Sequence, residues 1–195
     1  MGRPATYSTE QLLAAAADLF ASGGTRALTM SAVARAAGAP SGSVYHRFPD
    51  RPALLAALWL GMVTRFQDDY REVLGQEPTI DDAVRAAEWI VEWCRQNPAP
   101  AMVLQAGVQA FSPELWSTAS KRELAAIDAR QAHDMDAVVE RVAAQTGVPE
   151  DETRFALFDL PLAAVRRHLI AGQAPPARVR ALVRDLSRAI FRAES

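Results

Sequence analysis

The sequence predicts an all-α protein of about nine helices. Three observations predict it. Alanine is abundant and β-branched residues are scattered, which favours helix over strand. No long stretch alternates strictly between apolar and polar residues, as a half-buried strand would. Capping residues and glycine or proline stops recur at helical intervals.

Each helix has its own signals. Ser8 or Thr9 caps the first, with Leu12, Ala16, Leu19 and Phe20 on one face, and Ser22-Gly23-Gly24 ends it. Thr29 caps a short second helix, Met30 to Ala37, closed by Gly38. A third covers about Ser41 to Phe48. Asp50 then caps a long fourth, about 52–74, with Pro52 in its first turn and a stop near Gly75 and Pro78. Thr79 and Asp82 form a short-armed capping box for a fifth helix reaching Asn97. Pro98 and Pro100 interrupt, and a sixth follows over about 101–110. Ser112-Pro113-Glu114 opens a long seventh that ends at Gly147. The eighth, about Glu150 to Ala171, contains Pro161, which should kink it or break its hydrogen-bond ladder. The ninth runs from about Ala177 to Ala193. No internal repeat or low-complexity segment appears.

Bulk composition narrows the class. Half the residues are hydrophobic, enough for a real core, and 23% are charged, which argues against disorder. The net charge of −2 points to no particular partner. Residues 1–52, however, carry five arginines against three acids, a net of +2. The single cysteine, Cys94, rules out an internal disulfide and a cysteine-based zinc site. It suits a reducing cytoplasm, the expected location, and is read as a small buried hydrophobe. No apolar run approaches ~18 residues, so no membrane partner is expected. Basic charge rests on arginine with one lysine, Lys121, which suggests a GC-rich, bacterial genome.

Short helix, glycine, short helix is the helix-turn-helix plan. Ala34 is small where two helices cross, and Gly38 supplies a left-handed turn. Val33, Val44 and Phe48 are spaced to face Leu12, Leu19, Phe20 and Leu28. Ser43, His46 and Arg47 then face outward. Gly42 and Ser43 permit close approach to a groove, and Tyr45 can donate to a phosphate oxygen. Arg47 and His46 can reach a base edge or a phosphate. Spacing alone also fits an ordinary three-helix cap.

The stretch from Leu28 to Leu54, LTMSAVARAAGAPSGSVYHRFPDRPAL, resembles the DNA-binding signature of the TetR family of transcriptional regulators. Its most specific part is Tyr45-His46-x-Phe48, then a short break and Ala53-Leu54. The resemblance implies a DNA-binding domain over 1–50 and a ligand-binding and dimerisation domain over 51–195. It implies a repressor that binds a palindromic double-stranded operator as a homodimer and is released by a small apolar or amphipathic effector. Carried over by position, the DNA contacts are Ser31, Ser41, Gly42, Ser43, Tyr45, His46 and Arg47, with Arg51 on the backbone. Many members have a serine cap and a lysine where this chain has Pro40 and Ser41. That difference shifts weight onto Arg3, Arg47 and Arg51, with the arm Gly2-Arg3-Pro4 reaching a neighbouring groove. Two alternatives stay open: a helical dimer acting through protein contacts, and an activator without an effector.

In the last helix, Val179, Leu182, Val183, Leu186 and Ile190 form one stripe. It can pack on the eighth helix or, as the resemblance implies, form the dimer interface. Arg180, Arg184, Arg188 and Arg192 form a ridge read as a solvated face. The middle helices are rich in large, soft side chains with scattered polar groups. The candidate cavity residues are Met62, Phe66, Trp89, Trp93, Met102, Gln105, Trp116, His133, Phe155 and Asp159. Phe111, Met135, Phe158, Gln109 and His168 belong to the same set. Any one of them also suits an ordinary core. There is no glycine-rich phosphate loop, nucleophile elbow or metal-ligand cluster. His133-Asp134-Met135-Asp136 lacks the further ligands a metal site needs. No catalytic residue, cofactor or enzymatic activity is therefore expected.

Overall fold

A computed structural model describes residues 7–75 and 79–192. Arg3 and Pro78 lie outside the described residues. Helix α1 (Thr9–Gly23) opens on a capping box: Gln11 N–H donates to Ser8 Oγ at 3.2 Å, and Ser8 N–H to Gln11 Oε1 at 2.9 Å. A 3-10 turn (Gly24–Ala27) leads to α2 (Met30–Ala36), capped by Thr29. Gly38, at φ +65°, makes the turn into α3 (Ser41–Arg47). Asp50 caps α4 (Arg51–Leu74), its Oδ1 accepting from Ala53 N–H at 2.8 Å. The Thr79–Asp82 capping box opens α5 (Ile80–Gln96).

The middle of the chain departs from expectation. Helix α6 (Pro98–Gln105) starts on its prolines instead of after them, because the first turn of a helix needs no N–H donor. It stops at Gln105, and two 3-10 turns (Val108–Phe111 and Pro113–Leu115) follow. Helix α7 (Thr118–Thr146) therefore begins at a Ser117 cap, later than Ser112.

The expected eighth helix is a single rod built of α8 (Glu150–Arg154), a π turn (Phe155–Asp159) and α9 (Leu160–Ile170). Pro161 cannot donate to the carbonyl four residues earlier, and its ring crowds that carbonyl. The turn before it widens, so Leu160 N–H reaches the carbonyl of Phe155. Helix α10 (Ala177–Arg192) closes the chain. Counting the rod once, the described residues form nine helices and no strand.

Packing unites head and body. One apolar core holds Leu12, Leu28, Val33, Val44 and Phe48 of the head together with Leu54 and Leu58 of α4, and with Val103, Phe111 and Trp116 beyond it. Two further clusters fill the body, one around Tyr70, Ile90 and Phe158 and one around Trp93, Val165 and Val183. The arginine ridge of α10 does not simply face solvent. Arg180 lies 3.6 Å from Glu92, Arg184 3.8 Å from Glu88, and Arg188 3.7 Å from Asp81, which ties α10 to α5. These half-exposed pairs fix register more than they stabilise.

Candidate nucleic-acid interface and ligand cavity

Helix α3 is anchored by its apolar side. Val44 is fully buried and Phe48 nearly so, which turns the other face outward. Ser41, Gly42, Tyr45, His46 and Arg47 are exposed, and Tyr45 keeps 55% of its surface. Tyr45 and His46 make no side-chain hydrogen bond to another described residue, so both are available to a partner. Ser43 is half-buried, less outward than expected. Ser31 is exposed on α2, its Oγ 3.3 Å from Thr29 Oγ1.

The two arginines are already engaged inside the protein. Arg47 donates to Thr9 Oγ1 and, at 2.7 Å, to the carbonyl of Tyr7. Tyr7 in turn donates through its hydroxyl to the carbonyl of Gly38 at 2.7 Å. This strap ties the start of α1 to the turn and to α3. Arg51 donates from Nε to the Leu28 carbonyl at 2.8 Å and from its fork to the Thr25 carbonyl. Both side chains remain exposed at the edge, so they can brace the head and still face a phosphate.

A cavity of about 570 Å³ opens in the body between α4, α5, α7 and the π-turn rod. Phe66, Tyr70, Ile90, Met135, Val138 and Phe158 supply apolar wall, and Gln67, Arg71, Gln131 and Asp134 supply polar groups. Of the fifteen residues expected there, Phe66, Met135 and Phe158 line it. Trp89 and Trp93 stand behind Phe66, with ring centroids 5.5 and 4.9 Å away. Met62 and Trp116 belong to the core shared with the head, where Trp116 Nε1–H donates to the Phe111 carbonyl at 2.8 Å. Met102 packs in the cluster around Trp93, and Gln105 sits half-buried at the end of α6.

His133, Phe155 and Asp159 are corrected outright: all three are exposed on the outer surface. Asp159, expected to sit among apolar neighbours, is turned out by the π turn. Tyr70, Gln67 and Gln131 were missed. The sequence signal was present in Phe66, Tyr70 and Leu74 at i, i+4, i+8 on α4. In the other histidine segment, Asp134 accepts from Arg71 at 2.8 Å and Asp136 from Arg154. Cys94 is buried, and burial pushes its thiol up to about 12, so it stays protonated and unreactive.

The dimer stripe of α10 also needs correction. Val179 and Val183 are 4% and 0% exposed and belong to the protein's own core. Ile190 is half-buried beside the Tyr70 cluster. Leu182 and Leu186 keep 54% and 42% of their surface. An apolar stripe this wide serves two neighbours, and its inner half is taken by α5 and α9.

A helical body carrying an outward-facing helix-turn-helix is the class this geometry defines. Residues 12–58 match the family described as bacterial regulatory proteins, tetR family. The HTH-type transcriptional repressor KstR2 of Rhodococcus jostii (strain RHA1) is 39% identical over 64 residues, 33% of this chain and 31% of that protein. That match thus spans about a third of the relative's length. Among solved structures, the fatty acid degradation regulator FadR of Bacillus halodurans shares the fold at a TM-score of 0.70 with 17% identity, covering 98% of this chain and 96% of that one. FadR of Bacillus subtilis, solved with stearoyl-CoA, gives 0.67 and 16% over 96% and 100% of the two chains. Residues 12–58 thus match the TetR family model, and solved TetR-family regulators share the fold of the chain over nearly its whole length.

Proposed function

We propose that the protein is a cytoplasmic transcriptional repressor. A homodimer binds a palindromic operator through paired α3 helices, and a small apolar or amphipathic effector in the cavity releases it. The head over 1–50 does the reading, and the rest of the chain senses and dimerises. The observation that carries this reading is the outward face of α3: Tyr45 and His46 are exposed, with no side-chain hydrogen bond to another described residue, on a helix anchored by Val44 and Phe48. One such helix contacts only a few base pairs, so two held about 34 Å apart are needed to read a site. Ligand binding then acts by altering that spacing. A coupling of about 1–3 kcal/mol between cavity and head weakens operator binding roughly 5–150-fold.

Footprinting on the DNA flanking the protein's own coding sequence tests the first half. Two protected half-sites about one helical turn apart are expected. Absence of any protected or selected DNA sequence would end this reading.

For the dimer we propose the exposed apolar side chains of α9 and α10 that lie outside the cavity, Ile170, Leu182 and Leu186, with Phe155 at the far end. Replacing Leu182 and Leu186 together by aspartate places two charges per protomer in that contact. Sedimentation should then show monomers with wild-type helicity, since neither side chain belongs to the protein's own core. Dimers that survive the double substitution would place the interface elsewhere.

A further inference from the structure

We propose that the cavity takes a neutral ring compound bearing one hydrogen-bonding oxygen, which the Tyr70 hydroxyl meets. The inference rests on the effector-site reading above and narrows it. Three observations carry it.

The first is the wall. Phe66, Tyr70 and Phe158 line the cavity, and Trp89 packs on Phe66 and Tyr70 at 5.5 and 5.8 Å. Tyr70 and Phe158 centroids lie 5.7 Å apart. Clustered ring faces and edges favour a flat, rigid guest over a chain, because offset and edge-on ring contacts add to area burial.

The second is charge. The lining holds Arg71 and Arg141 against Glu72 and Asp134, which cancel. Arg71 is moreover held from two sides, by Asp134 at 2.8 Å and by Asp68. An anionic guest finds no net positive partner, and moving a carboxylate out of water without one is costly.

The third is an unmet hydrogen bond. The Tyr70 hydroxyl is buried and has no hydrogen-bond partner among the described residues, in a residue only 8% exposed that lines the cavity. Burial raises its pKa, so it stays a donor. On the same lining, Gln67 donates to Gln131 at 2.7 Å, while among the described residues Gln131 donates to the Met135 sulfur at 3.7 Å, a weak bond that a guest oxygen can replace. Buried orphan groups in a native fold call for a partner, and a ligand oxygen is one.

The test uses full-length protein and four probes: 1-acetylpyrene, pyrene, 1-pyrenecarboxylate and palmitate. Binding is read by energy transfer from tryptophan to pyrene, and palmitate by displacement. The ketone should bind roughly 2–10-fold tighter than pyrene, the span a single hydrogen bond supplies. The carboxylate and palmitate should bind more weakly than the ketone. In Tyr70→Phe the preference for the ketone over pyrene should vanish. Stability should stay level or rise, since the hydroxyl has no partner among the described residues to lose. Equal binding of ketone and hydrocarbon by the wild type would overturn the proposal. So would tightest binding of either anion, or no binding of any pyrene. Adding the ketone to the operator complex separates the two readings. Ketone-selective binding without DNA release removes the effector switch and leaves the ligand class standing. Release without ketone preference does the reverse.

Discussion

Replacing Phe111 by alanine should lower stability by about 3–5 kcal/mol, the cost of emptying a fully packed aromatic site. Phe111 is fully buried at the end of a 3-10 turn. Its ring lies 5.1 Å from Phe20 of α1 and 5.6 Å from Trp59 of α4, and it shares the core that joins head to body. The hole would open between three elements whose backbones are fixed by other contacts, so collapse can recover little. Urea unfolding followed by circular dichroism measures the loss, and the melting temperature should fall on the order of 10 °C. The same substitution loosens the head on its support, so operator affinity should drop even at temperatures where the protein stays folded. A loss under about 1 kcal/mol would show that this ring does not hold the two parts together.

The second large effect concerns the outward face of α3. Joint replacement of Tyr45 and His46 by alanine should leave the unfolding curve unchanged, because both side chains are exposed and make no hydrogen bond to another described residue. Operator binding should fall far more. A base-edge contact is worth about 1–3 kcal/mol, and a dimer loses each one twice, so even a single lost contact gives roughly 30-fold or more. If Tyr45 meets a phosphate, the dependence of affinity on salt should flatten by about 1.8 in log–log slope, for two phosphates per dimer. Unaltered binding by titration calorimetry or gel shift would refute α3 as the reading helix.

Much of the fold was legible in one dimension because its signals are local. Ser8, Thr29, Asp50 and the Thr79–Asp82 pair cap the helices they were expected to cap, since a cap needs only neighbours two or three residues away. Gly38 sits at the left-handed turn for the same reason. The prolines were harder. Their presence was visible, but whether they stop a helix, start one or widen a turn depends on what the chain does next. Pro98 and Pro100 start α6, and Pro161, expected to kink its helix or break the hydrogen-bond ladder, breaks that ladder into a π turn.

The cavity was the least legible part. Phe66, Trp89 and Trp93 pack on one another, yet of these only Phe66 reaches the space; Met135 and Phe158 reach it too, and His133, Phe155 and Asp159 face away. Periodicity gives the apolar stripe of a helix but not which of two neighbours each half of it meets. The same ambiguity sent Val179 and Val183 to the dimer face when α5 and α9 had already claimed them.

By itself, then, the sequence determined an all-helical chain, the helix-turn-helix with its outward Tyr45 and His46, and the resemblance to a regulator family. Those follow from caps, turns and spacing within a few residues. Only the tertiary structure decided where the cavity lies, that Tyr70 stands in its wall with a hydroxyl unmet by any described residue, and which leucines stay exposed. Those depend on how each helix is rotated against the others, and that rotation is fixed by packing between residues far apart in the chain.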